Sequence, residues 1–174
     1  GEVLNLMKAE WVGGQPLLSG SALFCAYYLN ELMINLLPRE DAHPGLFAAY
    51  ADTLRSLAAH DSAAGLEADL RLFERAMLQE IGYGLTFASD HSGNPIDANV
   101  RYTYRMEQGA VPLAPREEAH PAISGQTLID LGRGTFADAR SRTEAKALMR
   151  QLLAYHLGGR ELATRKIFRE LQEL

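Results

Sequence analysis

Residues Ser21 to Pro38 read SALFCAYYLNELMINLLP. Apolar side chains fall at Leu23, Phe24, Tyr27, Tyr28, Leu32, Met33, Leu36 and Leu37, the i, i+3, i+4, i+7 recurrence of a helix with about 3.6 residues per turn. The spacing predicts a helix buried along a broad stripe. Ser19 or Ser21 is placed to cap it by accepting a backbone N–H. Pro38 stops it, because proline has no N–H for the next hydrogen bond. Asn30, Glu31 and Asn35 interrupt the apolar run, whereas a membrane span needs about 20 mostly apolar residues. The stretch is therefore expected to be a core helix of a soluble domain.

Downstream, His43-Pro44 is a cap followed by proline at the first helical position. It opens a helix with Leu46, Phe47, Tyr50, Leu54 and Leu57 on one face, ending near His60-Asp61-Ser62. A third helix is expected over 64–81, with Leu66, Leu70, Phe73, Met77 and Ile81 inward and Gly82 as a left-handed C-cap. Three amphipathic helices with short connections fold most simply as an antiparallel bundle. Between Leu85 and Pro115 the pattern changes. Ser92-Gly93-Asn94-Pro95 is turn chemistry, Arg101-Tyr102-Thr103-Tyr104-Arg105 alternates, and Glu107-Gln108-Gly109 can close a hairpin onto Val111 and Leu113. A short helix capped by Ser124 follows and breaks at Gly132 and Gly134. A longer one over 141–157 buries Leu148, Leu152, Leu153 and Tyr155 and ends at Gly158-Gly159. A last helix over 162–174 turns Leu162, Ile167, Phe168 and Leu171 inward. Upstream, residues 1–11 suit a strand end or a short helical turn, and Gly13-Gly14-Gln15-Pro16 is a linker. The fold class is mostly α, an antiparallel helical bundle over 19–174 with a small β-hairpin insertion at about 85–115.

With 174 residues, 47% of them hydrophobic, the chain can build a real core. Its single cysteine, Cys25, allows no internal disulfide and no four-cysteine zinc site. A reducing, cytoplasmic compartment is expected, and no export leader or membrane anchor is visible. The sequence starts at Gly1 rather than methionine, as a processed, tagged or fragmentary chain would. A net charge of −5 argues against a strong nucleic-acid binder overall. From Arg140 onward, however, eight basic residues face four acidic ones, making that region about +4 and the first 139 residues about −9. Arg142, Lys146, Arg150, Arg160 and Arg165 are the candidate DNA contacts. Such a charge run also suits a merely solvated helix face, and any DNA binding it supports should weaken steeply with salt.

Signatures of catalysis are missing. The sequence has no phosphate-binding glycine loop ending in Lys-Ser or Lys-Thr, no G-x-G-x-x-G after a strand, no H-E-x-x-H and no G-x-S-x-G. Asp90, His91 and Asp97 around the Ser92-Gly93 turn are the one constellation that could gather a divalent ion. They carry the alternative reading, a helical metal-dependent hydrolase. A third possibility is a purely structural dimerisation domain. Glu31 lies near the apolar stripe of the first helix, and Arg71 and Arg75 lie one turn apart on the third. A partly buried carboxylate needs a partner, so an ion pair is one expectation for these groups. The other is that Arg71, flanked by Leu70 and Leu72, stands at the mouth of an apolar groove and receives a peptide carboxylate bidentately.

Several separated motifs resemble the RecO family of bacterial recombination mediators. They are Tyr28-Leu29-Asn30-Glu31-Leu32 with Leu36-Leu37-Pro38-Arg39-Glu40-Asp41 and His43-Pro44-Gly45-Leu46-Phe47; Leu70-Arg71-Leu72-Phe73-Glu74 followed by Ile81-Gly82-Tyr83-Gly84-Leu85; and Leu157-Gly158-Gly159-Arg160-Glu161-Leu162-Ala163-Thr164-Arg165. The resemblance spans nearly the whole chain. It makes Leu6 to Glu10 a junction out of an N-terminal OB-fold, so that residues 1–18 are a linker from a domain that this sequence does not contain. It implies a non-enzymatic, nucleoid-associated protein without cofactor. Such a protein binds DNA, recognises the acidic C-terminal tail of single-stranded-DNA-binding protein (SSB), pairs with RecR and assists RecA loading or strand annealing. In the family an arginine matched by Arg71 meets the tail carboxylate, which leaves Leu57, Leu66 and Leu70 as pocket walls. Without the OB-fold, DNA binding by this chain should be weak. Some members carry four zinc-binding cysteines in the segment matching 85–111. This sequence has none there, and a hairpin held by Tyr102, Tyr104 and Phe87 is expected instead.

Overall fold

The computed structural model describes residues 7–172 apart from 12, 15, 61, 120 and 137, and the side chains only up to 167. The strand or turn expected at the start of the chain falls largely on residues 1–6, outside the described residues; from Met7 to Ser19 the described chain has no helix or strand. Six helices follow: α1 (Gly20–Leu36), α2 (Pro44–Ala59), α3 (Ala63–Glu80), α4 (Gly125–Arg133), α5 (Ala139–His156) and α6 (Ala163–Gln172). Between α3 and α4 lie β1 (Arg101–Arg105), β2 (Gly109–Pro112) and β3 (Ile123–Ser124). The chain is mostly α-helical with a small β insertion, as its periodicities indicate.

Local chemistry sets most boundaries. Pro44 sits in the first turn of α2 behind its N-cap His43. Ser62 caps α3 by accepting from the Gly65 N–H, and Gly82 follows α3 at φ +92°, which a residue with a Cβ rarely adopts. Ser124 accepts from the Thr127 N–H to start α4. Asp138 does the same from Ser141 for α5, three residues earlier than the apolar pattern suggests. One expected cap is corrected: Ser19 is the N-cap of α1, but its side chain accepts no capping hydrogen bond.

Helix α3 is the hub, packing on α1, α2 and α5, and α6 packs on α1. The buried stripe of α1 is narrower than its apolar count implies: Ala26, Tyr28, Leu29 and Leu32 are buried. Leu23, Tyr27 and Ile34, spaced i, i+4 and i+11 on the opposite side, remain 36%, 53% and 81% exposed. Phe47, Tyr155 and Ile167, expected inward, are exposed as well. The core runs through Leu29, Leu32, Leu57, Phe73, Met77, Leu78, Leu148 and Leu152, six of which (Leu32, Leu57, Phe73, Met77, Leu148 and Leu152) are among those expected inward.

The expected hairpin is present, with Tyr102 opposite Pro112 and Arg105 opposite Gly109. It gains a third strand, β3, antiparallel to β1, giving the order β2-β1-β3. Tyr102, Tyr104 and Phe87 are buried, and the Phe87 and Tyr104 rings pack 5.9 Å apart.

Candidate docking site

The sequence marks Arg71 as the centre of a site, and α3 carries it at the helix's junction with α1. Its Nη2 donates to Glu74 Oε1 at 2.6 Å, one turn along the same helix. The Tyr28 hydroxyl, on α1, donates to that same oxygen at 2.6 Å. Arg165 of α6 donates to the Tyr28 oxygen at 3.2 Å, and its guanidinium carbon lies 5.5 Å from the Tyr28 ring centroid, a cation–π distance. Four side chains from three helices thus form one chain of contacts: Arg165, Tyr28, Glu74, Arg71. Burial and the neighbouring Glu74 push the Tyr28 hydroxyl well above its ordinary range, so it stays a donor. Burial by itself would pull the Arg71 guanidinium down. Glu74 more than offsets it and holds the group above its usual value.

Arg71 is only 7% exposed. This corrects the expectation of a guanidinium at an open groove mouth: the closed arrangement gives it an internal carboxylate, because a buried charge without a partner costs several kcal/mol by the usual estimate. The ion pair expected among Glu31, Arg71 and Arg75 is also differently made. Arg71 takes Glu74. Arg75 donates to the Leu131 and Gly132 carbonyls at 2.5 and 2.9 Å, closing the C-terminal end of α4. Glu31 turns to α6, accepting from the Ala163 N–H at 2.6 Å, the Thr164 N–H at 2.9 Å and the Thr164 hydroxyl at 2.5 Å. Burial would raise the Glu31 carboxyl, but these three donors hold it below its ordinary value.

Two of the three expected pocket walls do frame an opening. Leu57 and Leu66 line a hollow of about 430 Å³ together with Leu18, Ala22 and Ala58 and the polar Ser19, Ser21 and His60. Leu70 does not line it and packs against the core. Behind the rim, Ser56 donates to Asp69 Oδ1 at 2.9 Å and His60 Nε2 lies 3.5 Å from Oδ2. Burial raises the Asp69 carboxyl despite both neighbours. Ala22 of this lining lies one turn before Cys25. Burial pushes the Cys25 thiol up, while Arg71 is near enough to draw it down.

The turn geometry gives the carboxylates of the metal-hydrolase alternative other partners. Asp90 spends its carboxylate on the Ser92 and Asn94 backbone N–H groups, both at 2.9 Å, and on the Asn94 side chain. Asp97 accepts from the Asn99 N–H. Among the described residues no three His, Cys, Asp or Glu side chains are grouped to hold an ion. Asp90 and His91 border a second hollow of about 510 Å³ beside the hairpin, which Asp97 does not line.

The candidate DNA contacts are spread over two helices and the link between them. Arg142, Lys146 and Arg150 recur every four residues along one flank of α5. Lys146 pairs with Glu67 at 3.0 Å, Arg142 donates to the Phe136 carbonyl, and Arg150 is exposed. Arg160 turns back to the Leu157 carbonyl and Asn35, and Arg165 is committed to Tyr28. Sequence reasoning gives no role to Tyr28, Glu74 or Thr164 in this site. Glu74 had a detectable signal in its i, i+3 spacing from Arg71. Tyr28 and Thr164 had none, since the contacts between α1 and α6 join residues more than 130 positions apart. Among the described residues no helix is long and apolar enough to cross a membrane.

Comparison with known proteins bears on what such a site serves. A family model described as "Recombination protein O C terminal" matches residues 17–166. The chain is similar to "DNA repair protein RecO" of Dechloromonas aromatica (strain RCB), at 61% identity over 174 residues, covering 100% of this chain and 72% of that protein. It is similar to the protein of the same name in Aromatoleum aromaticum, at 49% identity over 175 residues with 100% and 72% covered. A third relative of that name, in Azoarcus sp. (strain BH72), is 44% identical over 178 residues, with 100% and 72% covered.

Proposed function

The chain belongs to the RecO family of DNA repair proteins, and from that membership we propose that it is a non-enzymatic docking domain of a cytoplasmic recombination mediator. Its ligand is the acidic C-terminal tail of SSB. Bound there, it works with RecR to assist RecA loading and strand annealing. The observation that carries this reading is the hollow of about 430 Å³ close to the N-terminal end of α3, floored by Leu57 and Leu66 and edged by the polar Ser19, Ser21 and His60. Such an opening suits one bulky apolar side chain of an otherwise acidic peptide, the division of labour usual in peptide recognition. In this reading Arg71 supplies the charge for the carboxylate of the incoming chain end, beside Glu74, whose Oε1 keeps the Tyr28 hydroxyl.

DNA is a secondary and weak ligand in this proposal, met by the flank of α5 that carries Arg142, Lys146 and Arg150, with Arg160 and Arg165 beyond it. The first three fall on one side of the helix by their four-residue spacing, which lets them follow one phosphate backbone.

Calorimetric titration with an SSB-tail peptide tests the docking. Ala58 is exposed and lines the hollow, so Ala58→Trp fills the opening without disturbing the core. It is expected to weaken binding at least about tenfold, equivalent to about 1.4 kcal/mol, with thermal stability unchanged. Absence of binding by the unaltered protein, or equal binding by Ala58→Trp, would move the site elsewhere.

A further inference from the structure

One imidazole is built into the wall of the Leu57–Leu66 hollow. His60 is the C-cap of α2 and lines the opening. Its ring lies against the first turn of α3, where Gly65 leaves it room: a Cβ there would stand 2.5 Å from the ring's Nδ1 and 2.7 Å from its Cγ. Nε2 is turned to Asp69, 3.5 Å from Oδ2, and Ser56 fixes that carboxylate by donating to Oδ1 at 2.9 Å. Asp69 is 8% exposed, and its Oδ2 accepts no hydrogen bond among the described residues. A buried carboxylate oxygen in that position is costly unless a positive charge stands beside it. His60 is the group placed to supply one when it carries a proton. With Nε2 turned to Asp69, Nδ1 is the remaining ring nitrogen, and it has no partner among the described residues.

Among the described residues the charge around this ring is sparse. Ser19 and Ser21 of the same hollow and Ser56 of α2 are neutral. Beyond Asp69, the next titratable group is Cys25 of α1, which feels Asp69 and Glu67 against Arg71. The hollow also takes in Ala63, the first residue of α3, so the positive end of that helix's dipole lies at its edge.

We propose that His60, held by Asp69, is the anion contact of the hollow: protonated, it donates to an acidic side chain of the docked tail, next to the apolar side chain that fills the opening, and makes docking depend on pH. This rests on the docking role proposed above and gives that site a second charge, separate from Arg71, which is enclosed and assigned to the chain end. An acidic peptide fits by charge, with a cation and a helix N-terminus at the edge and an apolar floor within. Asp69 is a positioning residue, orienting the ring from behind. When the ring loses its proton, the donor charge is gone and the Asp69 carboxylate behind it is left uncompensated, so the tail is held less tightly as the pH rises.

The test is calorimetric titration with an SSB-tail peptide at about pH 5.5 and about pH 8, across the interval in which an imidazole ordinarily gives up its proton and above that in which ordinary carboxylates take one up. The unaltered protein is expected to bind about three- to tenfold more tightly at the lower pH. His60→Gln is expected to bind equally at both, at the weaker level, with thermal stability unchanged. Asp69→Asn keeps the imidazole and removes the charge behind it, so its loss of affinity is expected at lower pH than in the unaltered protein. A peptide whose acidic side chains are replaced by their amides, with its terminal carboxylate kept, is expected to show no pH dependence. Equal affinity of the unaltered protein at both pH values, or a pH dependence that survives in His60→Gln, would overturn the inference while leaving docking in place. So would a pH dependence retained by the amide peptide, which would put the ring on the chain end. An unmoved profile in Asp69→Asn would overturn the role of Asp69. If the unaltered protein binds the peptide at neither pH, docking itself fails and the inference fails with it.

Discussion

At the scale of residues, the decisive fact is that one carboxylate oxygen serves two donors inside the protein. Glu74 Oε1 accepts from Arg71 and from Tyr28 at the same distance, 2.6 Å. Deleting it strands a guanidinium that is 7% exposed. Glu74→Ala is therefore expected to destabilise the protein by about 3–5 kcal/mol, the range for breaking a buried pair by removing one partner. Denaturant unfolding measures this, and a loss under about 1 kcal/mol would mean that Arg71 finds water or another partner at once. The Arg71–Glu74 contact was within reach of sequence reasoning, since its i, i+3 spacing is local. Its depth was not. Burial depends on α1 passing over α3, and that is set by packing among Tyr28, Leu29, Leu32 and the apolar face of α3 rather than by the sequence near Arg71.

At the scale of elements, α6 is fixed by a carboxylate belonging to another helix. Such remote capping neutralises two backbone N–H groups that a helix start leaves without internal partners, and it makes the docking of α6 sensitive to acid. The Glu31 carboxyl is held below its ordinary value in the folded protein. Its contribution is therefore fully present above the unfolded value of about 4.3 and is lost as the pH falls through the lower folded value. Protection factors of the α6 amides, which correct for the intrinsic slowing of exchange in acid, should fall as the pH drops below that unfolded value while those of α3 hold, and Glu31→Gln should remove the pH dependence; parallel loss in α3 and α6 would show that α6 has no separate stability. Helix existence was legible in this sequence wherever the signal was local. Pro44 behind His43, Gly82 after α3 and Ser124 before α4 all sit where their chemistry places them. The strand β3 was not legible. Two residues show no periodicity, and Ile123–Ser124 is a strand only because Arg101 and Tyr102 pair with it across more than twenty positions. Gly125 follows at once for a reason equally invisible in sequence: a Cβ there would stand 1.8 Å from the Asp97 carbonyl oxygen.

For the whole molecule, α3 is a shared wall. One part of it faces α2 and the Leu57–Leu66 hollow, and another faces α1 with the polar chain from Arg71 to Arg165. Sequence patterns indicated both a greasy opening and a guanidinium on the same helix but placed them side by side at an open mouth. In the structure Leu57 and Leu66 keep the opening while Arg71 is enclosed. The exposed Leu23, Tyr27 and Ile34 of α1 show the same limit of pattern reading: amphipathic spacing says that a face is apolar, not that a neighbour covers it. The most direct test is a shift map by NMR with the isotope-labelled chain and an unlabelled SSB-tail peptide. Docking as proposed is expected to move the methyl signals of Leu57 and Leu66 and the Arg71 side chain together, at one saturation point. Shifts confined to the hairpin hollow around Asp90 and His91, with those three groups unmoved, would contradict it.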